Sequence, residues 1–166
     1  MRTIFALFEG YREARSAVEE LLERKFDERD MNVIVQELTA KGSMDVNFKT
    51  ANVDKTRRLG GEAVQGLDQL LSGRQPLTMP DVGAVYVAGQ MASVMTGEAK
   101  KAKRTRKGGL KEALLTFDVP DEIAEFYKNG VLDGGVLFWV RTDDVRAAEA
   151  AGVLSDKKGE EVANYT

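Results

Sequence analysis

Two strand-length runs constrain the fold of this chain more than any other feature of its sequence. The first, TIFALFE at residues 3–9, is apolar at both odd and even positions. It predicts a strand that is covered on both faces and lies centrally in its sheet. The second, GVLFWVRT at residues 135–142, also carries apolar side chains on both of its sides. With 43% hydrophobic residues, the chain has enough apolar material for a real core.

Each run belongs to a pattern of alternating strands and helices. In residues 1–38 the strand is followed by REARSAVEELLERKF, which is apolar at helical spacing, and then by the strand-like DMNVIVQEL. In residues 119–166 a helix that opens at Pro120 leads into the second run. A further helix, capped by Thr142 or Asp143, and a short closing edge strand in EEVANYT follow it.

Two β-α-β halves of this kind predict an α+β fold, a ferredoxin-like sandwich in which an open sheet carries helices on one face. An α/β sheet with helices on both faces is the alternative. Residues 39–118 are then an insertion in one overall domain, because so long a stretch is too long for a structureless loop. We expect this subdomain or cap to contain short strands near 46–48 and 84–87, and helices in 60–73, 90–95 and 108–117.

The sequence has no histidine and no cysteine, which excludes disulfides, thiolate chemistry, zinc sites built on these residues and serine–histidine triads. We therefore predict no catalytic residues, no metal site and no cofactor. The formal net charge of −3 indicates no overall attraction to nucleic acid or membrane. We find neither a signal peptide nor an apolar run of membrane-spanning length, so we expect a cytoplasmic protein without a membrane partner.

A glycine-rich stretch, KNGVLDGGVLFWVR at residues 128–141, poses the choice between a phosphate loop and a structural turn. It lacks the spacing of a dinucleotide-binding motif, and it precedes a strand where a phosphate loop would open a helix. Gly134 and Gly135 therefore predict a helix stop that uses positive φ, and Gly130 predicts close packing late in that helix.

A basic run at residues 100–107, KKAKRTRK, is the strongest charge feature, with six basic residues in eight and no acidic one. We leave two interpretations open, a solvated linker and an anion-binding surface for a polyanion such as nucleic acid. No aromatic residue interrupts the run, so base stacking is not indicated. The candidate anion-binding residues are Lys100, Lys101, Lys103, Arg104, Arg106 and Lys107.

The least polar part of the insertion, AVYVAGQMASVM, is either core or an apolar surface that seals a dimer. For the second interpretation the candidate self-association residues are Val85, Val87, Met91 and Met95. Met91 and Met95 are four residues apart, so a helix would place them on one face. We expect a homo-oligomer, most simply a dimer.

Several short matches, in this order and spacing, resemble the bacterial general-stress or heat-induced stress protein family, the group described as 17M-like. They are Pro80-Asp81-Val82-Gly83, Ala88-Gly89, Gly109-Leu110, Ala113-Leu114, Val119-Pro120, Phe126-Tyr127, Gly130-Val131, Gly134-Gly135 and Val140-Arg141. The resemblance implies an α+β fold, a cytoplasmic stress-associated role and no catalytic residues. The chain departs from the family in its insertion, which carries the basic run where family members are small and apolar.

We therefore hypothesise a non-enzymatic, stress-associated binding or regulatory module that self-associates. The first alternative is a polyanion or nucleic-acid binder that uses the basic run. The second is a ligand-binding or weakly catalytic ferredoxin-like domain whose pocket lies between the insertion and the sheet.

Overall fold

The structure is a computed structural model and describes residues 2–42, 66–71, 75–90, 92–93, 109–116 and 118–165. The strands are β1 (Arg2–Phe8), β2 (Met31–Gln36), β3 (Leu77–Met79), β4 (Gly83–Ala88), β5 (Val136–Thr142) and β6 (Glu160–Tyr165). The helices are α1 (Tyr11–Glu23), α2 (Leu67–Leu71), α3 (Leu110–Thr116), α4 (Asp121–Leu132) and α5 (Ala147–Asp156). A short 3-10 turn, Glu28–Asp30, precedes β2, and residues 37–42 are helical.

All six strands form one open sheet in the order β3-β4-β2-β5-β1-β6, and every neighbouring pair is antiparallel. The fold is thus α+β, as the sequence predicts. The insertion does not form a separate layer in the part described, because β3 and β4 extend the sheet beyond β2. The expected short strand near 46–48 lies outside the described residues.

Helices cover both faces of the sheet, so the prediction of helices on one face is wrong. On one face Ile4, Ala6 and Phe8 of β1 pack with buried residues of α1, α2 and α5. On the other face Phe5 and Leu7 pack with α3 and α4. The physical reason lies in β1. This strand has apolar side chains at both odd and even positions, so both of its faces must be covered.

The glycine pair after α4 ends the helix in a left-handed turn. Gly134 has φ +100°, its N–H donates to the Val131 carbonyl at 3.0 Å, and the Gly135 N–H donates to the Gly130 carbonyl at 2.8 Å. This is the Schellman arrangement, which satisfies carbonyls that the helix end would otherwise leave unpaired. A side chain at Gly130 would collide with Leu7, so the missing side chain lets α4 pack closely on β1.

Candidate functional site

A groove of about 380 Å³ opens where β1 ends and where β5 and β6 begin. Helix α4 forms one wall with residues spaced three, four and seven apart, so that a single face of the helix is turned to the groove. The lining residues are Leu7, Phe8, Glu9, Phe126, Asn129, Gly130, Asp133, Gly135 and Glu160. The groove thus depends on the close approach of α4 to β1 that Gly130 permits.

An irregularity in β6 shapes the opposite wall. Phe5 pairs with Ala163 and Leu7 pairs with Glu160, so β6 has one residue more than β1 between these two pairs. Glu161 in this bulge has φ +48°, and its carbonyl accepts a 2.6 Å hydrogen bond from the hydroxyl of buried Tyr127 on α4. A bulge of this kind bends the strand and re-aims its side chains, and here it helps to set the position of Glu160 at the groove.

The charge of the groove is negative. Glu9, Asp133 and Glu160 line it, all three are exposed, and no basic residue is among the lining residues. Within the described part of the chain none of these carboxylates forms an ion pair. Phe126 adds an apolar ring that is 37% exposed. An apolar surface edged by carboxylates suits a positively charged group with a hydrocarbon stem, such as a lysine or arginine side chain.

Next to the groove, between α3 and α4, a second set of charges is mutually compensated. Lys111 and Lys128 contact the Glu125 carboxylate at 3.0 and 3.2 Å, and these hydrogen bonds lower the pKa of Glu125 to about 2. Asn129 donates to the same carboxylate at 3.2 Å. Glu125 therefore links α3 to α4 and also contacts Asn129, a lining residue of the groove.

A buried polar cluster lies away from the groove, between α1 and α2. The Tyr11 hydroxyl donates to Asp68 Oδ1 at 2.7 Å, and Arg15 contacts the same oxygen at 3.4 Å. Burial, and then the hydrogen bond to Asp68, raise the pKa of Tyr11 far above its ordinary value of 10.0. The Arg15 guanidinium also lies 5.3 Å from the centre of the Tyr11 ring. We interpret the cluster as the contact that fastens α2 to α1.

Two of the predicted self-association residues are in the core. Val85 is 0% exposed and Val87 is 1% exposed, and both pack with α3 and α4 under the second face of the sheet. They are therefore not available to a second copy, which corrects their proposed role. Met91 and Met95 lie outside the described residues, and so do all six basic residues of the run 100–107.

The aromatic residues of α4 and β5 divide between core and groove. Trp139 and Tyr127 are both 0% exposed, and Phe5 stacks between them with ring centres 4.8 and 5.8 Å away. Only the neighbouring Phe126 reaches the groove. The described part of the insertion joins the sheet through β3 and β4 and packs on it through side chains such as Leu114. None of the groove's lining residues belongs to the insertion, so the groove is a different place from the pocket predicted between insertion and sheet.

Two of the short stretches that resemble the general-stress family contact each other, because Asp81 of one caps the helix α3 that begins in the other. Asp81, in the turn between β3 and β4, accepts from the N–H groups of Leu110 at 2.8 Å and Lys111 at 3.1 Å. A side chain at Gly109 would collide with this carboxylate. The Pro80–Gly83 and Gly109-Leu110 matches are thus two halves of one structural contact.

The groove residues could not have been recognised from the sequence, because they come from three separate segments, residues 7–9, residues 126–135 and Glu160. Comparison of the chain with family models, with curated proteins and with solved structures found no match. In the described ranges there is no group of three or more carboxylates placed to hold a metal ion. The same ranges contain no helix that is long and apolar enough to cross a bilayer.

Proposed function

We propose that the chain is a non-enzymatic binding or regulatory module that takes a positively charged group into the acidic groove. The observation that carries the proposal is the lining of the groove, three carboxylates around the partly exposed Phe126 ring. A concave surface with an apolar floor and a few polar groups is the usual form of a binding site. We also propose a cytoplasmic, stress-associated role, which rests on the resemblance to the general-stress family.

We also propose that the two halves of the chain form a ferredoxin-like unit. The strands of the two halves lie in the order β2-β5-β1-β6, and α1 and α5 pack on the same face. This order supports a ferredoxin-like unit to which β3 and β4 are added at one edge and α3 and α4 on the second face. The groove would then lie at the end of the two central strands of that unit, β1 and β5.

The proposal is tested by titrating the full chain with tetralysine while following backbone amide signals by NMR. We expect the largest changes at Asn129, Gly130 and Gly135, and affinity that falls with added salt. The triple variant Glu9→Gln, Asp133→Asn, Glu160→Gln should bind about tenfold more weakly or worse, since each exposed charge pair contributes up to ~1 kcal/mol.

A matched control changes the net charge equally but leaves the groove intact. Glu23→Gln, Glu112→Gln and Asp156→Asn alter exposed carboxylates that do not line the groove. If this control weakens tetralysine binding as much as the groove variant does, the attraction is due to net charge alone and the proposed function is wrong.

A further inference from the structure

We propose that the partner of the groove is the basic run 100–107 of a second copy of this chain. The inference rests on the proposed function and adds the identity of the positively charged group. It also gives the expected self-association a new surface. Val85 and Val87 cannot provide one, because both are buried in the core.

Charge complementarity is the first argument. Six of the chain's 24 basic residues are in the run, which leaves 18 basic residues against 27 acidic ones, a balance of −9 for the rest of the molecule. A run of charge +6 is therefore attracted to the body of another copy at long range. The groove is where three carboxylates and an apolar ring surround one concave surface of that body.

The position of the run's attachment favours a second copy over the same copy. The chain re-enters the described structure at Gly109, which abuts Asp81 in the β3–β4 turn. Helix α3 follows and packs on α4, with Lys111 on Glu125. The groove is lined by Phe126, Asn129 and Asp133 of α4 and by Glu160 of β6, and no residue of α3 is among its lining residues. A single residue separates Lys107 from Gly109, so the chain's own run is tethered where α3 begins, whereas the run of a second copy is free of that tether.

The resulting contact is head-to-tail. Groove and run are different surfaces, so each copy offers one of each and the interface is heterologous. Association of this type continues to a ring or a chain unless one of the two surfaces is removed. Because it joins exposed charges, it weakens with salt.

The edges of the sheet argue against the common alternative, a dimer formed by pairing of edge strands. At one edge, β6 carries a bulge and two exposed glutamates, Glu160 and Glu161. At the other edge, β3 is three residues long and is followed by Pro80. Bulges, charges, short strands and proline are the features that keep edge strands from pairing.

The test is sedimentation velocity of the full chain across concentration and salt, with two complementary variants. The run variant replaces Lys100, Lys101, Lys103, Arg104, Arg106 and Lys107 with Gln, and the groove variant is Glu9→Gln, Asp133→Asn, Glu160→Gln. We expect the unaltered chain to associate at low salt and each variant alone to be monomeric. A 1:1 mixture of the two variants should form a dimer and stop there, because only one groove and one run remain.

Circular dichroism checks that each variant is folded. The groove variant should fold normally, because the three residues that it changes are all exposed. The control triple Glu23→Gln, Glu112→Gln, Asp156→Asn should associate like the unaltered chain. A chain that stays monomeric at low salt, a run variant that still associates, or a mixture that stays monomeric would each overturn the inference.

Titration with the octapeptide KKAKRTRK separates failure of the partner from failure of the proposed function. If the peptide binds the groove of a chain that remains monomeric, the groove function stands and the second copy is the wrong partner. If the unaltered chain stays monomeric and the peptide binds only after the chain's own run is neutralised, the run occupies its own groove, which also overturns the inference. If neither the peptide nor tetralysine binds, the proposed function falls as well.

Discussion

Glycines in this chain have opposite consequences for stability, depending on their backbone conformation. Gly134 has φ +100° at the end of α4, a region that side chains with a Cβ rarely occupy. Gly152 lies within α5, where a methyl group would meet nothing within 4 Å. The first glycine is required by the turn, and the second only adds entropy to the unfolded chain.

We therefore expect substitution by alanine to have opposite signs at the two sites. Gly134→Ala should lower the free energy of unfolding by about 1–2 kcal/mol, the cost of the left-handed conformation. Gly152→Ala should raise it by up to about 1 kcal/mol, the difference in helix propensity. Urea denaturation of both variants and of the unaltered chain measures the two changes in the free energy of unfolding. Equal changes of the same sign would contradict the assignment of the turn at Gly134.

Tyr11 should make the folded state sensitive to alkali. Its pKa is raised above the ordinary value of 10.0 by burial and by Asp68, so the folded protein resists ionisation where the unfolded chain accepts it. The contribution is complete below pH 10 and is lost as pH rises above that value, by up to about 1.4 kcal/mol per pH unit.

Tyr11→Phe is the variant that isolates this effect. It should cost about 1–3 kcal/mol at neutral pH, because the buried Asp68 carboxylate loses its 2.7 Å donor. Above pH 10 its stability should fall less steeply than that of the unaltered chain. Thermal unfolding at a series of pH values compares the two, and parallel curves up to high pH would show that Tyr11 is not protected.

At the scale of elements, α3 depends on a residue far from it in sequence. It is seven residues long and starts directly after Gly109, so its first N–H groups rely on the Asp81 carboxylate. Loss of such a cap typically costs about 1 kcal/mol, and short helices have little stability of their own.

Asp81→Ala should therefore destabilise the protein by about 1–2 kcal/mol and open α3 before the rest of the fold. Asp81→Asn is the matched variant, since its single carbonyl oxygen can replace one of the two hydrogen bonds, and it should lose less. Amide hydrogen exchange of residues 110–116 reports the local opening. Unchanged exchange in Asp81→Ala would mean that packing on α4 alone holds α3 in place.

The elements that the sequence predicted well are those whose signal is local. β1, α1, β2, α4, β5 and α5 all have a clear apolar period, and the structure confirms each of them. The sequence does not predict β3, because LTM is only three residues long and becomes a strand through its pairing with β4. The Asp81 cap could not be predicted either, because 29 residues separate its two partners.

At the scale of the molecule, the sequence indicated both cores without showing how they are arranged. The two-sided pattern of β1 and β5 placed Ile4 and Phe138 on one face and Phe5 and Trp139 on the other. It did not show which helix covers which face, because any amphipathic helix can cover either one. The sequence alone also leaves open whether Val85 and Val87 are exposed. The pairing of β4 with β2 places them in the core.

The shared sheet also decides whether the insertion unfolds by itself. Leu114 of α3 and Leu21 of α1 are both 0% exposed, one in each core, and β1, β2 and β5 contribute to both cores. Leu114→Ala and Leu21→Ala should each cost about 2–5 kcal/mol. Because β1, β2 and β5 belong to both cores, each variant should unfold in one cooperative transition at a lowered midpoint. Far-UV circular dichroism and the fluorescence of buried Trp139 should give the same midpoint. Two separate transitions in Leu114→Ala would instead identify the insertion as an independently melting subdomain.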